Sequence, residues 1–400
     1  MPTVNPDILK WARETAGLAL EDAAAKLDLG EARGVSGPDR LHAFEAGEQE
    51  PSRPLLVRMA KHYRRPLLTF YMAQAPSRGE RGQDFRTLPP EHSIAQDALV
   101  DALIRDVRAR QEMVRAVLED EDEATSLPFV ASMTMREGAD AVLESIRQTL
   151  NLDLTQYRNR GRNQGGFPYL RGQAEKVGIY VLLIGNLGSH HTNLDVDMFR
   201  GFALADNVAP FIVINDQDAE TAWAFTLLHE LCHIWLGATG ISGANAGTAV
   251  EQFCNDVAGR FFLPASELHP LRDLRGLAFD AIVAKINDFA ESRYVSRSMV
   301  AYKLYREGLI ERDLWSRLTS LYRHHWRRSR EAQRERTRDR EGGPNYYIVK
   351  RHRLGEALVS LTRRMLAERI LSPSKAAKVL GVKPSNVYGV VAGPVSPTMA

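Results

Sequence analysis

Cysteine is nearly absent from this chain: Cys232 and Cys254 are the only two thiols in 400 residues. So few exclude the disulfide framework of a small secreted scaffold and fit a reducing cytosol. Long apolar runs are also missing. The longest, around residues 177–184, falls far short of the ~20 residues a membrane-spanning helix needs. Residues 1–10 lack the basic-then-apolar pattern of a secretory leader. The expectation is a soluble, cytoplasmic protein with no membrane partner. A dominant charge is lacking too, since 52 Lys and Arg against 50 Asp and Glu leave +2, which selects no partner. Arginine is concentrated in residues 322–353, and that run taken alone suits a solvated helix better than a nucleic-acid surface. There is no internal repeat. What is present is 44% hydrophobic residues, enough for real cores, over a length that suggests two or three domains.

The first 73 residues read as short helices. Asn5 caps a helix with Pro6 at its first position, and Ile8, Leu9, Ala12 and Ala16 follow at helical spacing. Further helices are expected at 21–27, at 39–46 before Gly47, and from Pro54 to Tyr63 after Ser52. This order suggests a helix-turn-helix domain. Residues 74–95, with Pro, Gly, Ser and Arg, read as a linker. A long charged helix at 95–119, a helix at 135–150 and a polar loop up to Gly166 come next. Residues 177–184 and 211–214 are β-branched and aromatic runs between turn residues, and 199–204 is a third candidate strand. A helix at 219–236 ends at Gly237, and a second at 248–262 stops at Pro264. Strands followed by two helices make a compact α+β unit. Beyond 279 the chain is helical again, with Ser296 as an N-cap. Gly342-Gly343-Pro344 breaks it before a last helical module at 354–391.

The helix at 219–236 carries His229-Glu230-Leu231-Cys232-His233. Histidines four apart share one helical face, so both imidazoles can reach one cation, while Glu230 can lie beside it without binding. That is the arrangement of a zinc hydrolase. The alternative, two surface histidines, fits poorly with Trp223, Phe225, Leu227, Leu228, Leu231, Ile234 and Trp235 around them. A helix apolar nearly all round is buried, and buried imidazoles and carboxylates need a partner such as a divalent cation. Glu251 on the next helix is the candidate third ligand. Taken alone it is equally an acid favoured at a helix N-terminus. Asn255 and Asp256, one turn on, could hold a ligand in place or be ordinary polar positions. Cys232 and Cys254 read as small packing residues.

These residues resemble the ImmA/IrrE family of zinc metallopeptidases. The resemblance runs over about residues 170–300. It rests on Phe199-Arg200-Gly201-Phe202, on Pro210-Phe211-Ile212-Val213-Ile214-Asn215, on Phe225 through His233, and on Glu251-Gln252-Phe253-Cys254-Asn255 with Ala258 and Leu263-Pro264. It implies Zn2+ on His229, His233 and Glu251, Glu230 as general base, and a protein substrate, a helix-turn-helix repressor. Candidates for the oxyanion donor are Tyr169, His190, His191, Arg200 and Tyr294, although His190-His191 also read as a solvated loop pair. The strand at 211–214 offers an edge for an extended substrate. The N-terminal region resembles an XRE-type helix-turn-helix domain through residues 9–14, 20–27 and 41–48, with a lengthened turn at 30–38. It would contact DNA, through Arg40 and His42, or a protein. The expected fold is α+β and mostly helical, a zincin-like core with a small twisted sheet flanked by helical domains. The expected division is 1–75 helix-turn-helix, 76–130 linker and long helix, 131–280 peptidase core, 281–325 helical extension, 326–345 basic linker and 346–400 C-terminal helical module. The rival reading is a DNA-binding regulator, or a toxin–antitoxin-like partner, with a non-catalytic zinc site.

Overall fold

Pro6 follows an asparagine whose Oδ1 accepts the N–H of Asp7 at 3.1 Å, and there α1 begins (Pro6–Thr15). The computed structural model describes residues 3–76, 83–84, 94–164, 166–188, 192–242, 248–338 and 345–392. They form two compact units. One comprises Met1–Arg81, Leu88–Val107 and Asn186–Met198; the other comprises Gly82–Thr87, Arg108–Gly185 and Phe199–Ala400.

In the first unit α1 is followed by α2 (Leu20–Lys26), α3 (Gly37–Glu45) and α4 (Arg53–His62). Ile8, Leu9, Ala12, Leu27, Leu41, Leu56, Met59 and Phe70 are buried in a core of their own. One ion pair crosses that core: Arg13 donates to both carboxylate oxygens of Glu45, at 2.7 and 2.9 Å. The connection between α2 and α3 is long, as expected. It contains left-handed backbone at Asp28, Arg33 and Gly34 and a small bridge between Ala32 and Val35.

The second unit is α+β and mostly helical. Strand β1 (Gln83–Asp84) precedes α5 (Ile94–Asp120), whose residues from Arg108 onward belong here. Then come α6 (Ala139–Leu150), α7 (Leu154–Gln164), α8 (Gly166–Lys176), β2 (Tyr180–Leu183), β3 (Gly201–Leu204) and β4 (Phe211–Ile214). Helix α9 (Glu220–Trp235), β5 (Gly240–Ser242) and α10 (Ala249–Phe262) follow. The chain continues with α11 (Phe279–Arg293), α12 (Arg297–Arg306), α13 (Arg312–Arg338), α14 (Tyr346–Leu354), α15 (Glu356–Ala367), α16 (Pro373–Leu380) and α17 (Val387–Val391). Ser296 caps α12, accepting the Met299 N–H at 3.1 Å. No helix of the described residues is long and apolar enough to cross a membrane.

The sheet order is β1-β5-β3-β4-β2. Strand β3 runs antiparallel to β4 and β5, while β2 runs parallel to β4 and β1 parallel to β5. Every residue of β2, β3 and β4 is buried. One expectation fails here: β4 is interior, paired on both sides, so it has no edge to offer a substrate. The outer side of β2 is not open either, because Arg171 donates to the Val181 carbonyl.

Two further differences have physical causes. The stretch up to Gly166 is helix α7 and not a polar loop. Tyr157 packs edge-on against Phe261 and Phe262, and Arg158 forms a fork with both oxygens of Glu267 at 2.9 and 3.0 Å. These distant anchors override the weak local pattern. Helix α13 runs to Arg338, into the segment expected to be a basic linker.

Candidate metal centre

Helix α9 packs on β3 and β4 and on α6, α8 and α10. Leu227, Leu228, Leu231, Cys232, Ile234 and Trp235 are fully buried along it, as an all-round apolar helix requires. Its C-terminus closes on the second histidine. The N–H of Ala238 donates to the His233 carbonyl at 2.9 Å and that of Gly237 to the Ile234 carbonyl at 3.1 Å. Gly237 holds φ +64°, the left-handed cap conformation that glycine adopts most cheaply.

Helix α10 begins at Thr248, whose Oγ1 accepts the Glu251 N–H at 3.3 Å. In a capping box the glutamate three residues on folds back to the cap. Here the Glu251 carboxylate crosses to α9 instead. Its Oε1 stands 3.0 Å from His233 Nε2, its Oε2 3.2 Å from His229 Nε2, and the two ring nitrogens are 3.1 Å apart. His229, His233 and Glu251 are 4%, 0% and 1% exposed. Donors bound tetrahedrally to zinc at ~2.0–2.2 Å stand about 3.3–3.5 Å from one another. The three observed spacings, 3.0–3.2 Å, fall a few tenths of an ångström short of that range, so a small spreading of the side chains fits the donor set to a zinc-sized cation.

Electrostatics agree with a charge-bearing cluster. Burial pushes the Glu251 carboxyl up, but hydrogen bonds with both imidazoles outweigh it and bring the group to about 2. Burial pushes His229 down, and the facing carboxylate more than reverses this, raising it to about 9. His233 moves down, mainly through burial, although the Glu251 hydrogen bond opposes this.

The sequence left open whether Asn255 and Asp256 support the candidate ligands, and the structure places the two differently. Asn255 Oδ1 lies 3.0 Å from His229 Nδ1, one turn beyond Glu251, and leaves Nε2 facing the cluster. Asp256 serves another purpose, accepting from Tyr302 at 3.3 Å and pairing with Arg306 on α12. Cys254 Sγ lies within 4.8 Å of the histidine nitrogens, so it is a competing third ligand. The Glu251 oxygens approach the imidazoles to 3.0 and 3.2 Å, and burial together with the Cys232 thiol raises Cys254 well above its usual range. A thiol held neutral is the poorer ligand.

Glu230 is fully buried beside β3. The close approach depends on Gly201: a Cβ there would lie 2.7 Å from Glu230 Oε1 and 2.7 Å from Thr226 Cγ2. Sequence reasoning quoted Gly201 only within the Phe199-Arg200-Gly201-Phe202 stretch and gave it no role at the site. The other candidates are dispersed. The Tyr169 hydroxyl accepts the Asp153 N–H at 2.9 Å and donates to the Asn151 carbonyl at 3.3 Å, so it is taken up by the connection between α6 and α7. Arg200 Nε stands 3.7 Å from Asp218. Tyr294 caps α11 in left-handed backbone and is 43% exposed. His190 and His191 lie outside the described residues. In the first unit Arg40 donates to the Gly30 carbonyl at 2.8 Å, and His42 is exposed.

A small sheet backed by a helix with two histidines one turn apart, and a carboxylate from the next helix, defines a zincin-like metallopeptidase core. Residues 174–305, about a third of the chain, match the family model Peptidase_M78, the IrrE N-terminal-like domain. That match, over the residues that build the centre, supports a metallopeptidase of the ImmA/IrrE type. Comparison with curated proteins and with solved structures finds no match.

Proposed function

We propose that this protein is a cytoplasmic zinc-dependent endopeptidase that cleaves a DNA-binding repressor and so controls transcription. The observation that carries the catalytic part is the convergence of His229, His233 and Glu251 to 3.0–3.2 Å, with Glu230 buried next to them. Zinc on those three ligands supplies Lewis-acid chemistry, polarising the scissile carbonyl and acidifying water. The chain's own residues do the rest. Glu230, one residue from a ligand and not part of the convergent trio, accepts the proton of the attacking water and returns it to the leaving amine nitrogen. Asn255 fixes the ring of His229 through Nδ1.

The repressor as substrate rests on the resemblance and on the helical N-terminal unit, whose XRE-like order of helices suits contact with a regulator or with its DNA. Arg40 and His42 are the candidate DNA contacts. Of the candidate oxyanion donors Tyr169 is the weakest, because its hydroxyl is already used, and Arg200 and Tyr294 remain to be tested by substitution. The cytoplasmic reading rests on the two cysteines, both free thiols.

Glu230→Gln and His229→Ala test the reading. Glu230→Gln is expected to keep metal while losing cleavage by roughly 10²–10⁴-fold, and His229→Ala to lose both. Metal content is read by atomic absorption and cleavage on a helix-turn-helix repressor. Unchanged cleavage in Glu230→Gln would defeat this mechanism, and operator binding by residues 1–73 without repressor cleavage by the parent would favour the rival reading, a regulator with an idle zinc site.

A further inference from the structure

The last four helices carry a feature that the peptidase reading does not use. Helix α16 is capped by Ser372, which accepts the Lys375 N–H at 3.3 Å, and it ends at Gly381 in left-handed backbone (φ +59°). The Val382 N–H closes back on the Ala377 carbonyl at 2.9 Å. Three residues later a helical turn, Pro384–Asn386, runs straight into α17. Two short helices joined by a tight glycine-containing turn form a helix-turn-helix. The burial pattern agrees. Ala376, Ala377, Leu380, Val387 and Val390 are buried, as are Leu358, Val359 and Met365 of α15, the helix on which α16 and α17 both pack. Gly389 is needed for packing, since a Cβ there would run into the Tyr347 ring of α14.

The outward side is polar and cationic. Lys375, Lys378, Lys383, Pro384, Ser385 and Tyr388 are exposed, Tyr388 to 64%. Residues 345–392 contain nine Lys and Arg against two Glu, a net of +7, whereas the whole chain carries +2. Part of this charge is used internally, as Arg353 pairs with Asp216 and Arg364 with Glu123. The three lysines around α16 and the turn are not used in this way. A helix-turn-helix that shows Ser385 in the turn leading into its second helix and Tyr388 on that helix, flanked by lysines, offers side chains to base edges and cations to phosphates.

We propose that residues 345–392 form a second nucleic-acid-binding module that docks on double-stranded DNA through the segment 383–388, with Lys375, Lys378 and Lys383 against phosphate. Charge complementarity selects this occupant. The module is also fixed to the metallopeptidase core. Glu175 accepts the N–H groups of Glu356 and Ala357 at 3.1 and 3.3 Å, and Arg171 donates to the carbonyls of His352 and Arg353. A Cβ at Gly355 would collide with that pair. DNA binding here would therefore place the metal centre beside whatever protein occupies the same duplex. Only that last consequence rests on the peptidase reading; DNA binding itself does not.

The test uses the full-length protein and a labelled 30-base-pair duplex of mixed sequence, with anisotropy read between 50 and 200 mM KCl. The parent is expected to bind with a salt-dependent affinity. The triple variant Lys375→Gln, Lys378→Gln, Lys383→Gln is expected to bind at least about tenfold more weakly at 50 mM, with the slope of log K against log salt reduced by roughly 2–3, since each phosphate contact contributes ~0.9. Circular dichroism and metal content should not change, as all three lysines are on the surface. Selection from randomised duplexes should yield a preferred sequence with the parent that Tyr388→Ala relaxes. Three results would overturn the proposal: no duplex binding by the parent at 50 mM, an unchanged slope and affinity in the triple variant, or a preference for single-stranded RNA of equal length.

Discussion

At the scale of single residues, the centre depends on side chains that do not bind the cation themselves. Asn255 faces His229 Nδ1 at 3.0 Å and sets which ring nitrogen is turned toward Glu251. Asn255→Ala should weaken metal binding by about 10–100-fold, the usual cost of losing a ligand's hydrogen-bond partner, with little change in fold. Competition with a chromogenic chelator measures this, and unchanged affinity would remove Asn255 from the site. Gly201 sets the position of Glu230, the proposed base. With a Cβ 2.7 Å from Glu230 Oε1, Gly201→Ala must move the carboxylate or the strand. The expected outcome is near-normal zinc content with cleavage reduced by about 100-fold, because a displacement of ~1 Å can cost that much. Loss of metal and activity together would instead mean that β3 had shifted as a whole.

At the scale of elements, the two helices of the centre are held by their ends. The left-handed turn at Gly237 directs two hydrogen bonds back to the last turn of α9, one of them onto the carbonyl of His233. Gly237→Ala would impose positive φ on a residue with a Cβ and bring that Cβ to 2.6 Å from Ala131 Cβ. A loss of about 1–3 kcal/mol is expected from backbone and overpacking together. Urea melts of the metal-free protein would show it, and a melt within 0.5 kcal/mol of the parent would count against the argument. These same two helices were the legible part of the sequence. Seven apolar residues around two histidines required burial, and Thr248 before Glu251 marked a helix start. Sequence could not tell whether Glu251 would fold back on its cap or cross to α9, because that depends on where two helices meet. Helix α7 escaped for a related reason. Among its described side chains Tyr157 is the one large residue fully in the core, with Leu154 packed beside it, and Arg158 adds a hold on Glu267, 109 residues away. The interior place of β4 was equally hidden, since a short apolar run reads alike at an edge or a centre. In the C-terminal module, residues 376–390 carry helix-turn-helix spacing, but only the turn at Gly381 and the exposed lysines turn the spacing into a face.

At the scale of the whole molecule, the two compact units have separate cores, and only one of them holds the centre. The first unit is centred on Ile8, Leu41 and Met59 and crossed by the buried Arg13–Glu45 pair. The second buries α9 and α10 with the sheet. A cation bound by His229, His233 and Glu251 stabilises only the unit that contains them, by RT ln(1 + [L]/Kd), about 4 kcal/mol at a thousandfold excess over Kd. Calorimetry of the full chain should therefore give two transitions. Adding a strong chelator should lower one by several degrees and leave the other in place. Glu45→Ala should do the converse, removing about 3–5 kcal/mol from the first unit by stranding the Arg13 guanidinium in its core, while the metal-sensitive transition stays put. The two perturbations are diagnostic because they act through different chemistry on different cores. A single transition that shifts under both would mean that the units melt as one cooperative body, and metal loss would then destabilise the N-terminal helices along with the catalytic ones.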